Sequence, residues 1–373
     1  MKTYSITGNG CEALLFDGQK IADLLQLYGI QENTDGSPDI LVILGCTFTQ
    51  RQEDDFRMLV EDATHYRKIG QIIIVSGCYL KYEKREGVIY TRKENLSEVL
   101  DDLFTDKKGG ELTTLNKNRA MTPYVAISEG CYGSCTFCSV RIIRGFHRSR
   151  DRTTVLTDVR RAAKIFGTVK LVGQEIAAYG RDIGTTLPEL IQLLFEEFPD
   201  LQLELGSLGL AWMKLFSDEE LEVFADKRIQ SNIHLPLQSA SDSVLKQMKR
   251  RHTFSDFDKL LKRLISFDIQ RFSTDLMAGF PSESESDHKN NLMFLKKYRF
   301  QFAQIFMYES RPGTTAAGMV QIPRETRVRR TLELIGTYVA NHTGFRANEN
   351  IDIDDILNTN IEIAQEEVIF YES

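Results

Sequence analysis

The sequence predicts an α/β protein in two units: an N-terminal open parallel-sheet domain over residues 1–105, then a partial (β/α)6 barrel over residues 122–330. Three features carry this prediction. Apolar, β-branched runs alternate with amphipathic helix patterns almost to residue 330, as expected of parallel sheets covered by helices. The 373 residues exceed what one compact core usually serves. The cysteines cluster just beyond strand candidates, at the sheet edge where ligands of such folds bind.

In the first unit Tyr4–Thr7 is a short strand candidate, and Gln19–Tyr28 reads as a helix through Ile21, Leu24, Leu25 and Leu27. Asp39–Leu44 and Gln71–Val75 are apolar runs of the buried parallel type, with a helix pattern at Glu53–Ile69 between them. Gly10-Cys11, Gly45-Cys46 and Gly77-Cys78 each follow one of these strands, so three cysteines far apart in sequence can meet at one edge. The adjoining glycines let backbone approach a bulky ligand. The same pattern also suits three buried structural cysteines. Residues 106–121 are polar and break the periodicity, which marks a linker.

In the second unit six strand candidates, Tyr124–Ser128, Val169–Val172, Gln202–Gly206, Asn232–Leu237, Arg271–Ala278 and Gln301–Tyr308, alternate with helix patterns. The helices fall at Val155–Phe166, Leu187–Phe198, Asp218–Ala225, Asp242–Lys249 with Phe254–Phe267, and Glu285–Tyr298. Ser217 and Glu220 have capping-box spacing, and Gly167 sits where a helix C-cap belongs. Six units are too few for the closed eight-fold barrel, hence the partial form.

Residues 331–373 carry nine acids and one base, a net −8 that leaves the rest of the chain near neutral at +1. That balance lacks the strongly basic surface of a dedicated nucleic-acid binder. Ile351, Ile353, Ile361 and Ile363 alternate around Asn358-Thr-Asn360 as a short hairpin would. No run approaches the roughly 18–20 apolar residues of a membrane span, and the N-terminus lacks the apolar core of a signal peptide. A reducing cytoplasm is the expected location, where cysteines point to metal or catalysis before disulfides.

Cys131-Tyr-Gly-Ser-Cys135-Thr-Phe-Cys138 is the most informative segment. Three cysteines at this spacing can hold three irons of a [4Fe–4S] cluster and leave the fourth open to a ligand, which makes it a reaction site. Zinc competes, but structural zinc wants four ligands as two pairs, and after Cys138 only His147 stands nearby. Phe137 could pack on a planar group beside the open iron, or simply fill core.

The segment resembles the cluster motif of radical S-adenosylmethionine (SAM) enzymes, whose fold is a partial (β/α)6 barrel. The wider stretch Ile127–Arg150, with Leu171-Val-Gly-Gln-Glu175, Tyr179-Gly180, His234-Leu-Pro-Leu-Gln-Ser239, Thr274-Asp-Leu-Met-Ala-Gly-Phe-Pro281 and Ser310-Arg-Pro-Gly-Thr314, resembles the methylthiotransferases of the MiaB/RimO family. The resemblance covers residues 1 to about 330 and accounts for all six cysteines. It implies two [4Fe–4S] clusters and SAM as both methyl donor and radical source. Cys131, Cys135 and Cys138 would hold the cluster that binds SAM, with Phe137 beside the adenine. Gly173, Gln174 and Glu175 would receive the methionine amino group, a carboxylate suiting an ammonium partner. Ser207 and Gln238 would contact ribose or methionine, and Cys11, Cys46 and Cys78 would hold the auxiliary cluster that carries a methylated sulfur. The implied activity is C–S bond formation at an unactivated C–H bond, with electrons from a donor such as flavodoxin or ferredoxin.

The chain departs from the family in two places. Cys11-Glu-Ala-Leu-Leu-Phe-Asp-Gly-Gln-Lys lacks the usual Asn and Asp-Ser-Glu stretch, and Cys46-Thr-Phe-Thr-Gln lacks the usual apolar continuation. The acidic C-terminal residues stand where members carry a TRAM domain that engages tRNA or ribosomal protein S12. From that departure a peptide or protein substrate is expected first, and an adenosine-type tRNA substrate second. A non-catalytic, metal-stabilised binding module is the third reading. Arg141, Arg144, Arg148, Arg150 and Arg152 form one basic run, and Lys249–His252 another; both read as solvated or internally paired before they read as phosphate contacts.

Overall fold

In the computed structural model, residues 2–33, 37–79, 84–104 and 123–342 are described. The expected linker and C-terminal hairpin lie outside these residues.

The N-terminal unit is a five-stranded sheet in the order β2-β1-β3-β4-β5, every pairing parallel. Its strands are β1 (Thr3–Gly8), β2 (Gln31–Glu32), β3 (Ile40–Cys46), β4 (Ile72–Cys78) and β5 (Val88–Tyr90). Helices α1 (Glu12–Leu27), α2 (Gln50–His65) and α3 (Leu96–Leu103) cover it. Two apolar clusters result. Leu14, Ile21, Leu25, Val42 and Ile74 pack between the sheet and α1, while Ile43, Phe56, Val60, Ile73 and Val75 pack between the sheet and α2. The alternation of Val42/Ile74 and Ile43/Ile73 between clusters is the two-residue period of a sheet covered on both faces. Helix α1 begins directly after Cys11, seven residues earlier than its periodicity predicts. Helix α2 begins at a capping box formed by Thr49 and Gln52.

In the second unit β6 (Tyr124–Ala126), β9 (Thr168–Val172) and β10 (Gln202–Leu205) pair in parallel, as do β11 (Ile233–His234), β12 (Phe272–Ala278) and β13 (Phe302–Met307). The two sets meet where Leu208 N donates to His234 O (3.0 Å) and Gln230 N to Leu203 O (2.7 Å). Six consecutive parallel strands thus form the expected partial barrel. Two further strands, β7 (Ser128–Glu129) and β8 (Arg148–Ser149), pair antiparallel and flank the short helix α4 (Val140–Arg144). The covering helices are α5 (Arg152–Phe166), α6 (Leu187–Glu197), α7 (Leu210–Met213), α8 (Asp218–Glu222), α9 (Asp242–Gln247), α10 (Phe254–Ser266) and α11 (Glu285–Lys297). The expected caps are present: Ser217 and Glu220 bond reciprocally, and Gly167 ends α5 in the left-handed region at φ +74°.

A final helix, α12 (Arg324–His342), was not expected. The boundary drawn at residue 331 falls inside it, and its described second half packs on the barrel instead of trailing from it. Leu334 is fully buried. Arg330 Nη1 bonds Glu283 Oε1 at 2.9 Å, His288 Nε2 lies 2.6 Å from Glu333 Oε2, and Asn341 Nδ2 donates to Leu295 O at 2.6 Å. Leu334→Ala is therefore expected to cost about 2–5 kcal/mol of stability, read as a lower urea midpoint. A surface tail would give no measurable change.

Candidate functional site: two cysteine sets at facing strand ends

The N-terminal cysteines gather as the sheet order dictates. Strands β1, β3 and β4 are neighbours, and Gly45 and Cys46 stand in register with Gly77 and Cys78. Residues in register on parallel strands point the same way, so Cys46 and Cys78 lie side by side. The backbones are close enough that a Cβ on Gly77 would come within 2.5 Å of Gly45 O, and Gly77 has φ +119°. Cys11 holds the N-cap position of α1, is exposed, and lies near enough to raise the pKa of both Cys46 and Cys78. Burial is the larger cause, pushing Cys46 up to about 11 and Cys78 up to about 12.

The second set lies on the loop after β7. Gly130 turns the chain at φ +73°, and a Cβ there would strike Phe146 O at 2.2 Å. Cys131 N donates to Gly145 O (3.2 Å), and Thr136 N donates to Met248 O (3.0 Å). Gly133 marks a cradle: a Cβ would fall 3.1 Å from Cys131 Sγ and 3.7 Å from Cys135 Sγ, so the two sulfurs flank one spot. Burial pushes Cys131 up to about 11 and Cys138 up to about 12, with neighbouring cysteines adding to the effect.

Among the described residues no three His, Cys, Asp or Glu side chains converge as a single metal ion requires. Neither set is drawn together as a zinc site would be. A [4Fe–4S] cluster is ligated through sulfurs on different irons, so its ligands stand further apart. Three cysteines per set, the Gly133 cradle and the Gly45–Gly77 approach fit that larger group.

Beside the second set, Gln174 Oε1 accepts from Gly130 N (2.8 Å), so this side chain pins the cysteine loop. Glu175 Oε1 accepts from Gly209 N (2.8 Å) and Ala177 N (3.2 Å). Burial nevertheless raises the Glu175 carboxyl to about 7, against the pull of those bonds and of Arg250. Gly173 is tight, a Cβ there coming within 2.7 Å of Ser128 Oγ. Phe137 packs against Phe280 with ring centres 6.5 Å apart. Gln238 is buried in the left-handed region at φ +74°, and its Oε1 has no partner. Ser207 contributes its carbonyl to Ile176 N at 3.3 Å.

Several contacts had escaped the sequence. Arg144 Nε donates to Cys78 Sγ (2.8 Å), and Arg250 Nη1 to Cys135 Sγ (3.4 Å). Tyr132 stacks on His147 at 4.8 Å and tilts towards Trp212 at 5.3 Å. The two basic runs divide between internally paired and solvated members, as expected: Arg144 and Arg150 form ion pairs, Arg152 bonds Thr185 and Arg250 reaches Cys135, whereas Arg148, Lys249 and Arg251 are exposed. Arg141 instead stacks on exposed Phe146, its guanidinium carbon 3.8 Å from the ring centre.

Residues 125–295 match the radical SAM superfamily, and residues 3–98 match the family described as UPF0004, uncharacterized. A threonylcarbamoyladenosine tRNA methylthiotransferase of Danio rerio is 31% identical over 87% of this chain and 64% of its own length. A tRNA-2-methylthio-N(6)-dimethylallyladenosine synthase of Carboxydothermus hydrogenoformans is 28% identical over 95% of this chain and 88% of its own. This chain belongs to the radical SAM methylthiotransferase family. It spans less than two thirds of the Danio relative. The radical SAM methyltransferase TsrM of Kitasatospora setae shares the fold, with TM-score 0.59, 11% identity, and 84% of this chain and 77% of that one covered. For this member of the family, SAM and one [4Fe–4S] cluster are the groups that the radical SAM fold brings.

The Glu175 carboxyl has a pH signature. A carboxyl raised to about 7 stabilises the fold when protonated, and that contribution is lost as pH rises through about 7. Glu175→Gln keeps an acceptor for Gly209 and Ala177 and cannot ionise. The variant apoprotein should gain thermal stability relative to the parent between about pH 5 and about pH 8. Parallel melting curves across that range would refute the assignment.

Proposed function

We propose that the protein is a radical SAM methylthiotransferase that places a methylthio group on an adenosine-type nucleoside of tRNA, using two [4Fe–4S] clusters. The observation that carries the reading is the gathering of two cysteine sets on neighbouring strand ends of two domains that a shared side chain, Arg144, joins. Residues 1–105 would form the auxiliary-cluster domain and residues 122–330 the radical domain. Cys131, Cys135 and Cys138 would hold the cluster that binds SAM, and Cys11, Cys46 and Cys78 the second. Together these groups supply a carbon radical able to take hydrogen from an unactivated C–H bond, and a sulfur to replace it.

The chain's own residues bind and orient. Glu175, its Oε1 already fixed by two backbone donors, would take the methionine ammonium in one orientation. Gln238 Oε1, buried without a partner, offers an acceptor to a hydroxyl or ammonium of the same ligand, with Ser207 nearby on the preceding strand ends. Phe137, backed by Phe280, would lie against the adenine. Gly173 allows close approach to the Cys131 loop, which Gln174 holds in place.

A tRNA substrate is supported by the relatives, whose names carry tRNA, and by the exposed Arg141–Phe146 stack near the radical set. Unstacked bases of RNA loops bind on such aromatic and guanidinium planes. The peptide or protein substrate expected from the acidic C-terminal residues finds no support among those relatives, and residues 343–373 lie outside the described ones.

Anaerobic reconstitution should load about eight irons, and the Cys131→Ala/Cys135→Ala/Cys138→Ala variant should keep about half. A variant that binds none would remove the second cluster. Mass spectrometry of tRNA nucleosides from cells with and without the gene should show one methylthio-adenosine species lost. If a methylthiolated peptide disappears while the nucleosides stay unchanged, the tRNA reading falls. Glu175→Gln should weaken SAM binding to the iron-loaded protein at least tenfold, by equilibrium dialysis, if its carboxylate takes the ammonium.

A further inference from the structure

Arg144 ends α4, which starts two residues after Cys138, and its side chain reaches out of the barrel domain. Nε donates to Cys78 Sγ at 2.8 Å, Nη1 donates to Glu129 Oε1 at 3.1 Å, and Nη2 lies 2.7 Å from Asp17 Oδ2. The side chain is only 8% exposed and that of Asp17 only 4%. Lys93 Nζ meets the same two carboxylates at 2.9 Å each. The group therefore comprises two cations, two carboxylates and one cysteine sulfur.

We propose that Arg144 is a positioning residue that couples the two cysteine sets, fixing their separation through α4 and tuning the reduction potential of iron held by Cys78. The inference rests on the N-terminal cysteines being a cluster site. Lys93 already partners both Asp17 and Glu129, so what Arg144 adds is the bond to sulfur. A cationic donor on a ligating sulfur stabilises the more negative, reduced state and so raises the potential. Five helical residues rise about 7 Å, a stiff lever between Cys138 and the guanidinium. The planar fork of arginine aims Nε at Cys78 and Nη1 at Glu129 at once, which an ammonium on a flexible stem does not, while Nη2 meets Asp17 as an ion pair without a hydrogen bond.

The test uses full-length protein in the Cys131→Ala/Cys135→Ala/Cys138→Ala background, so that only the N-terminal set loads iron. Midpoint potential is followed by absorbance and electron paramagnetic resonance, and iron retention is measured against a chelator. Arg144→Gln should shift the potential negative and weaken retention about tenfold or more, as loss of such outer-shell partners does. Arg144→Lys, which keeps the charge without the aimed N–H, should shift it less. Asp17→Asn removes a buried negative charge and should shift the potential the other way. General damage to the seam would move all variants in one direction, and that result would overturn the proposal. So would an unchanged potential in Arg144→Gln. If Arg144→Gln does not fold, Arg144→Lys and Asp17→Asn still give the opposite signs. If the background protein binds no iron, the auxiliary-site reading itself is wrong and this inference goes with it.

Discussion

The arrangement of the molecule depends on a buried seam of charge between its two units. Arg144 and Asp17 lose nearly all their water, and a pair so buried holds only when every charge is met. Here each carboxylate meets two cations: Asp17 and Glu129 both face Arg144 and Lys93. Removing Arg144 would leave two carboxylates to share Lys93 alone, an uncompensated negative charge in a nearly dry group. Other pairs extend the seam. Lys20 and Arg150 share Asp158, Lys170 meets Glu12, and Arg161 meets Asp23. At the other side Arg311 of the barrel reaches Glu53 and donates to Thr47 O at 2.7 Å, holding the loop after Cys46. An apolar seam of equal area would hold the units together but let them slide. Directional pairs from α1, the Cys46 loop and the Lys93 turn fix one register. Chemistry shared between the two cysteine sets, as proposed above, would require that fixity, because a misplacement of about 1 Å costs roughly 100-fold in rate.

Much of this was legible in the sequence where the determinants are local. β3 and β4 announce themselves as unbroken β-branched runs, and the glycines and cysteines that end them stand in register as their positions implied. The caps at Ser217 and Gly167 need only neighbours within a turn. Legibility fails where the determinant is distant or thin. Asp17 and Gly18 interrupt the apolar stripe of α1, because both are buried for reasons outside the helix: Asp17 for the seam, Gly18 for contact with Leu44. Helix α12 is rich in charge, and its docking relies on Leu334 and on Arg330 and Glu333, whose partners Glu283 and His288 lie just before α11 and on it. Strands β7 and β8, two residues each, are too short to show a period. In the basic run after Cys138, spacing cannot tell which arginine turns inward. The partner of Arg144 is Cys78, 66 residues earlier and in another domain.

The same charge logic explains why arginines stand by the cysteines. Burial makes the Cys46, Cys78, Cys131 and Cys138 thiols hard to ionise, and a metal ligand must be thiolate, so binding iron there would release protons to solvent and leave negative charge where burial disfavours it. Each set has one arginine donating to a sulfur: Arg144 to Cys78, and Arg250 to Cys135 while its Nη2 is anchored on Pro236 O at 2.6 Å. Cys11 differs from the others in being exposed, at the N-cap of the sixteen-residue α1. That leaves Cys46, Cys131 and Cys138, whose burial raises their pKa, without an arginine donor of their own among the described contacts. The seam differs: its two cations and two carboxylates balance among themselves, so the contact between the two domains is held by charges that no thiol needs to supply.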